Sequence, residues 1–131
     1  MSFLTKQEIF SRAKHHLLTQ NRRSEDCYGT VKYYGDGGAK DPIGVLIPEN
    51  LYHPEIEKTG ISLLNCESAA EKMYLGQVLI ECGVNILNES TMELLCDLQE
   101  MHDVCEPWSW YDRLKSIARK HQLTFDEKYT A

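Results

Sequence analysis

Between Gly35 and Pro54 the chain concentrates four of its eight glycines and three of its four prolines. Each proline removes a backbone donor and clashes with the preceding helical turn. The run Gly35-Asp36-Gly37-Gly38 adds positions that tolerate positive φ. No long helix can cross this stretch, so regular helices must lie on its two flanks. Pro48 and Pro54 limit the residues around them to single helical turns.

The N-terminal flank reads clearly. Thr5-Lys6-Gln7-Glu8 forms a capping-box pattern, with Leu4 placed to staple onto Ile9. Ile9, Ala13 and Leu17 share one arc with Phe10 beside it, which predicts an amphipathic helix over 6–19. After a polar stretch, Thr30-Val31-Lys32-Tyr33-Tyr34 has the β-branched and aromatic content of a strand. With the glycine turn and a short second strand at 39–41, it predicts a small hairpin. Asp41-Pro42 then reads as an N-cap with proline at the first helical position, opening the apolar run 43–47.

The C-terminal flank is helical. Ser68-Ala69-Ala70-Glu71 resembles a second capping box, opening a helix that runs to Cys82 and stops at Gly83. Its two apolar sides call for a central position. Asn88 caps a helix over 89–105, with Leu87 and Met92 as a staple. Pro107 breaks it and starts the last helix, 107–121, whose core face is Trp110, Leu114, Ile117 and Ala118. Residues from Thr124 onward read as a frayed tail. The expectation is one α+β domain over 1–131, mostly α, with about four main helices packed on one small β-hairpin.

At 131 residues and 42% hydrophobic content the chain has enough apolar material for one core. No apolar run approaches the length of a membrane span, and the N-terminus lacks the layout of a secretion signal, so a cytoplasmic protein is expected. The five cysteines are odd in number and show no C-x-x-C spacing, which favours reduced thiols over a disulfide framework. The net charge is −6, although residues 1–23 are basic. An acidic surface disfavours nucleic acid as a partner. Arg22 and Arg23, after the basic first helix, could still meet an acidic partner.

Candidate chemistry is sparse. His102 and Cys105 lie about 60° apart on one helix face and could reach a common metal ion, with Cys82 completing the set from a neighbouring helix. The same imidazole sits among Leu94, Leu95, Leu98 and Met101, where a buried histidine hydrogen-bonded to backbone is the plainer reading. Cys27 stands beside Glu25 and Asp26, which raise a thiol pKa rather than lower it. The glycine-rich turn lacks the G-K-[ST] that holds phosphate. No cofactor is called for. Trp108 and Trp110 fall about 200° apart around a helix, so they cannot face one core. With Trp110 inward, Trp108, Tyr111 and Lys115 form a candidate partner surface.

Two stretches carry a resemblance. One is Asp36-Gly37-Gly38-Ala39-Lys40-Asp41-Pro42-Ile43-Gly44-Val45-Leu46-Ile47-Pro48, continuing through Tyr52, Pro54, Glu55 and Glu57. The other is Leu98-Gln99-Glu100-Met101-His102-Asp103, followed by Pro107, Trp110, Leu114, Ile117 and Ala118. Together they resemble a group of small uncharacterised proteins of bacteria and their phages. The chain departs from the group's usual Cys-Ala at Asp41-Pro42, so a thiol role there cannot apply. The resemblance implies a phage-like source and no particular reaction; small phage proteins that bind and disable host machinery, defence systems included, are the class it suggests. The leading expectation is a non-catalytic protein-interaction or regulatory module, with a homodimer as a compatible assembly. The alternative is a small metal- or thiol-dependent enzyme using His102 with Cys105 or Cys82.

Overall fold

A computed structural model describes residues 2–66 and 69–126. Its main elements are α1 (Lys6–Gln20), α2 (Ile61–Cys66), α3 (Tyr74–Glu81), α4 (Glu89–Val104) and α5 (Trp110–Lys120). Short 3-10 turns link α1 to α3, as the proline and glycine spacing requires. Four of the five helices are the expected main ones, and α2 is an addition to them.

α1 starts where its capping box says. Thr5 Oγ1 accepts the Glu8 N–H at 3.1 Å, and Glu8 Oε1 accepts the Thr5 N–H at 2.9 Å. It ends at Asn21, whose left-handed backbone returns its N–H to Leu17 O. α4 is capped by the Asn88 side chain on the Thr91 N–H. Leu87, however, is 70% exposed, so the expected staple onto Met92 does not form.

α1, α4 and α5 pack on one another around a single core, α2 packs on α4, and α3 joins through the turns on either side of α2. Ile9, Phe10, Ala13 and Leu17 meet Leu94, Leu95, Leu98, Trp110 and Leu114 there. No helix among the described residues is long and apolar enough to cross a membrane.

The expected hairpin does not reach a ladder: among the described residues there is no β-strand. Its two arms meet only at the antiparallel bridge Tyr34↔Lys40, flanked by Gly35 N–H to Ala39 O at 2.8 Å and Asp41 N–H to Tyr33 O at 3.1 Å. A second bridge joins Glu25 and Val31. The reason is a competing acceptor. Glu57 takes the backbone N–H of Tyr33 at 2.9 Å and of Tyr34 at 3.1 Å through its two carboxylate oxygens. Those donors are no longer available to a ladder. Asp36–Gly38 forms a 3-10 turn in which Gly37 and Gly38 both use positive φ.

The helix expected to open at Ser68 differs as well. Ser68 lies outside the described residues, Ala70–Lys72 is a separate 3-10 turn, and extended Met73 precedes α3. Gly76 explains the fold-back, because a Cβ there would stand 2.0 Å from the Ala70 carbonyl oxygen. Of the tail expected to fray from Thr124 onward, residues 127–131 lie outside the described residues, and Thr124 and Phe125 are docked. The Gln7 side-chain amide pairs both ways with the Thr124 backbone, and Phe125 packs near Phe10.

Gly76→Ala is expected to lose roughly 2–3 kcal/mol, since rigid backbone must move to admit one methyl. Gly60→Ala, whose added Cβ meets nothing within 4 Å, should be close to neutral in the same urea titration.

Candidate functional site

α4 sets two consecutive polar side chains, His102 and Asp103, against the irregular middle of the chain. His102 is fully buried and stacks on Trp110 with ring centroids 5.5 Å apart. The Ser24 backbone N–H lies 2.9 Å from His102 Nε2. An amide N–H can only donate, so Nε2 must accept and the proton sits on Nδ1, 2.7 Å from Asp103 Oδ1. Both ring nitrogens are therefore occupied by structural bonds. Neither can take a proton or bind a metal without breaking one of them.

Asp41 lies beside this pair and is almost completely buried. Its Oδ1 accepts the N–H groups of Ile43 and Gly44 at 2.9 and 2.7 Å, which is the cap the sequence predicted. Gln99 donates from α4 to Oδ2 at 3.2 Å and accepts the Ile61 N–H at the start of α2. Burial pushes the Asp41 carboxyl up to about 7, against the opposing pull of hydrogen bonds from the Gly44 amide and Gln99. A polar pocket of about 110 Å³ adjoins it, lined by Tyr33, Asp41, Glu57, Thr59, Gln99 and Asp103 among others. Glu57 is engaged there by Tyr33 and Tyr34, and by the Tyr52 hydroxyl at 2.8 Å.

Two sets of side chains among the described residues could share an ion by proximity: Asp41, His102 and Asp103, and Glu93, Asp97 and His121. The donor atoms of the first hold the backbone and one another. In the second, Lys120 Nζ stands 3.1 Å from Glu93 and 3.0 Å from Asp97, so an ammonium fills the place of a cation. His121 bridges Asp97 at 2.7 Å and Lys6 Nζ at 2.9 Å. Neither set contains a cysteine. His102, Cys105 and Cys82 are thus not assembled as a ligand group. Burial, then the Glu81 carboxylate, pushes the Cys82 thiol up, away from what a nucleophile requires.

The five residues expected to meet a partner have separate surroundings. Arg22 clasps the glycine turn through Asp36 O and Gly37 O at 3.2 and 2.8 Å. Arg23 caps the end of α4 through His102 O and Cys105 O, with Glu106 3.4 Å away. Tyr111 meets Phe125 edge-on at 5.3 Å, and Lys115 lies 5.6 Å over the Tyr111 ring. Trp108 differs: it is 84% exposed, and its indole makes no hydrogen bond or ring contact among the described residues.

Sequence reasoning missed the surface next to it. α4 and α5 run antiparallel, with Lys120 near Glu93 and the Trp110 indole donating to Cys105 O. Between them lies an open groove of about 300 Å³ whose apolar lining is Met101, Val104, Cys105 and Ile117. Asp97, Glu100, Arg113 and Lys120 add charges of both signs to its sides. The turn Pro107–Ser109 connects the two helices and carries Trp108. Val104 is 70% exposed. Its signal in the sequence was the pair Val104-Cys105 held between Asp103 and Glu106, with Val104 outside the leucine face of α4.

Compared with protein-family models, with curated proteins and with solved structures, the chain matches none.

The Asp41 environment has a measurable consequence. A carboxyl with a raised folded-state pKa binds its proton more tightly folded than unfolded, so its contribution is greatest below about pH 4 and is lost as pH rises through about 7. The melting temperature of wild type minus that of Asp41→Asn is expected to fall across that window and level off above it. A difference independent of pH would mean that the carboxylate ionises alike in both states.

Proposed function

We propose that this chain is a non-catalytic protein-interaction module that docks a partner on the Val104–Trp108 shoulder and the adjoining α4–α5 groove. One observation carries the reading: a tryptophan 84% exposed in the turn that connects α4 and α5, the two helices that line the groove. An indole left in water gains roughly 2–3 kcal/mol when a partner covers it, and tryptophan is prominent among the residues that dominate binding energy. A groove of this size accepts one or two apolar side chains from the other molecule.

The chemistry of the interior supports the same reading. The polar cluster around His102 resembles a reactive site in composition, yet its atoms hold Ser24, Ile43, Gly44 and Ile61 in place. The resemblance to bacterial and phage proteins makes a host-cell protein the expected class of partner, and regulation of that protein the expected outcome.

Capture of partner from bacterial lysate by immobilised wild type should fall at least tenfold with Trp108→Ala and with Val104→Ser. Circular dichroism and melting temperature should stay unchanged, because both side chains are exposed. Full capture by both variants would remove this surface from consideration.

A further inference from the structure

We infer that the face between α1 and α5 is a peptide seat, occupied in cis by the chain's own residues 124–126. Its intermolecular occupant is an extended partner segment in which an aromatic residue is followed by carboxylates. The resident segment shows what the seat recognises. The Gln7 side chain pairs with both backbone groups of Thr124: Nε2 donates to Thr124 O at 3.0 Å, and Oε1 accepts the Thr124 N–H at 2.8 Å. An amide N–H only donates, which fixes the orientation of the Gln7 amide. This clamp reads main chain and accepts any residue other than proline. The next position carries the specificity. Phe125 lies 6.4 Å from the fully buried Phe10 and meets Tyr111 edge-on at 5.3 Å. Lys14 of α1 and Lys115 of α5 bring their ammonium groups to 4.8 and 5.9 Å from the same ring. Two cations around one aromatic ring favour carboxylates beside it, and the chain itself continues Phe125-Asp126-Glu127.

A segment held in this way leaves without opening the core. Leu123 already closes α5 by donating its N–H to Ala118 O, so the strap begins beyond the helix stop. The anchors of α5 in the core are Trp110, Leu114 and Ala118, whereas Phe125 is half-buried and Thr124 and Asp126 are exposed. Segments with so few buried contacts open locally at a fraction of the global free energy. The seat is separate from the α4–α5 groove. α5 turns Arg113, Ser116 and Ile117 to the groove, and Tyr111 and Lys115 to the strap. A basic segment would be repelled by the two lysines. A tail exchanged with a second copy would gain no contact that the cis strap lacks and would cost association entropy.

Fluorescence anisotropy with the full chain tests the inference, using a fluorescein-labelled peptide Leu-Thr-Phe-Asp-Glu. Phe125→Ala vacates the aromatic part of the seat. Thr124→Pro removes the N–H that Gln7 accepts and leaves every seat side chain in place. Each variant should bind the peptide about tenfold or more tighter than wild type, because the competing strap is no longer present at high effective concentration. Replacing the peptide's phenylalanine with alanine, or its two acids with lysines, should weaken binding to Phe125→Ala about tenfold or more. Adding Lys14→Glu and Lys115→Glu to that variant should do the same, and adding Trp108→Ala should change nothing. In wild type, saturating peptide should speed hydrogen exchange of the Thr124 amide and leave that of Leu114 protected. Equal binding by wild type and both strap variants, or binding indifferent to the peptide's phenylalanine and acids, overturns the assignment. Loss of binding with Trp108→Ala overturns it by moving the peptide to the other surface, and a Phe125-dependent dimer seen by light scattering does so by giving the seat to a second copy. Thr124 exchange unchanged by peptide in wild type, a readout that needs no variant, overturns it as well.

Discussion

The fold hangs on the imidazole of His102. It joins α4 to a loop 78 residues earlier in sequence by accepting the Ser24 N–H, donating to Asp103 and stacking on Trp110. Ser24 then extends the link: its hydroxyl donates to Ala39 O, and its carbonyl accepts the Lys32 N–H. One buried ring thereby fixes the position of three stretches that have no regular structure of their own. A buried donor left without this acceptor would cost about 1–3 kcal/mol. Arg23, capping the end of α4 from the neighbouring position, reinforces the same junction.

The middle of the chain satisfies its backbone through side chains rather than through a sheet. Glu57 serves Tyr33 and Tyr34, Asp41 serves Ile43 and Gly44, and Asp26 serves Tyr28 and Thr30. Carboxylates suit this task because each oxygen accepts more than one hydrogen bond and charge strengthens them. The consequence for function is direct. Residues that look like reactive groups in composition act as scaffold, and several of the same groups line the pocket beside them. Recognition chemistry is left to the outside of the helices.

α4 illustrates the division. One side places Leu94, Leu95, Leu98, Met101 and His102 in the core, while the other carries acids and ends at Val104. The break at Pro107 turns the chain so that Trp110 enters the core and Trp108 faces water. The same break that terminates the helix therefore creates the exposed shoulder on which the proposed function rests.

Sequence alone determined the elements whose causes are local. The capping box of α1, the Asn88 cap, the Asp41 cap, the Gly83 stop and the break at Pro107 each depend on residues a few positions apart. The opposed directions of Trp108 and Trp110 match what a continuous helix from Pro107 predicts, although Trp108 lies in the 3-10 turn Pro107–Ser109 and α5 begins at Trp110. Only the tertiary structure decided whether Tyr33 and Tyr34 would join a ladder, because the rival acceptor, Glu57, lies 23 to 24 residues away. It likewise decided that Arg22 and Arg23 hold carbonyls, that Phe125 gathers Tyr111 and Lys115, and which nitrogen of His102 carries the proton. Those outcomes depend on partners brought close by packing, and a linear pattern does not encode which distant group will arrive first.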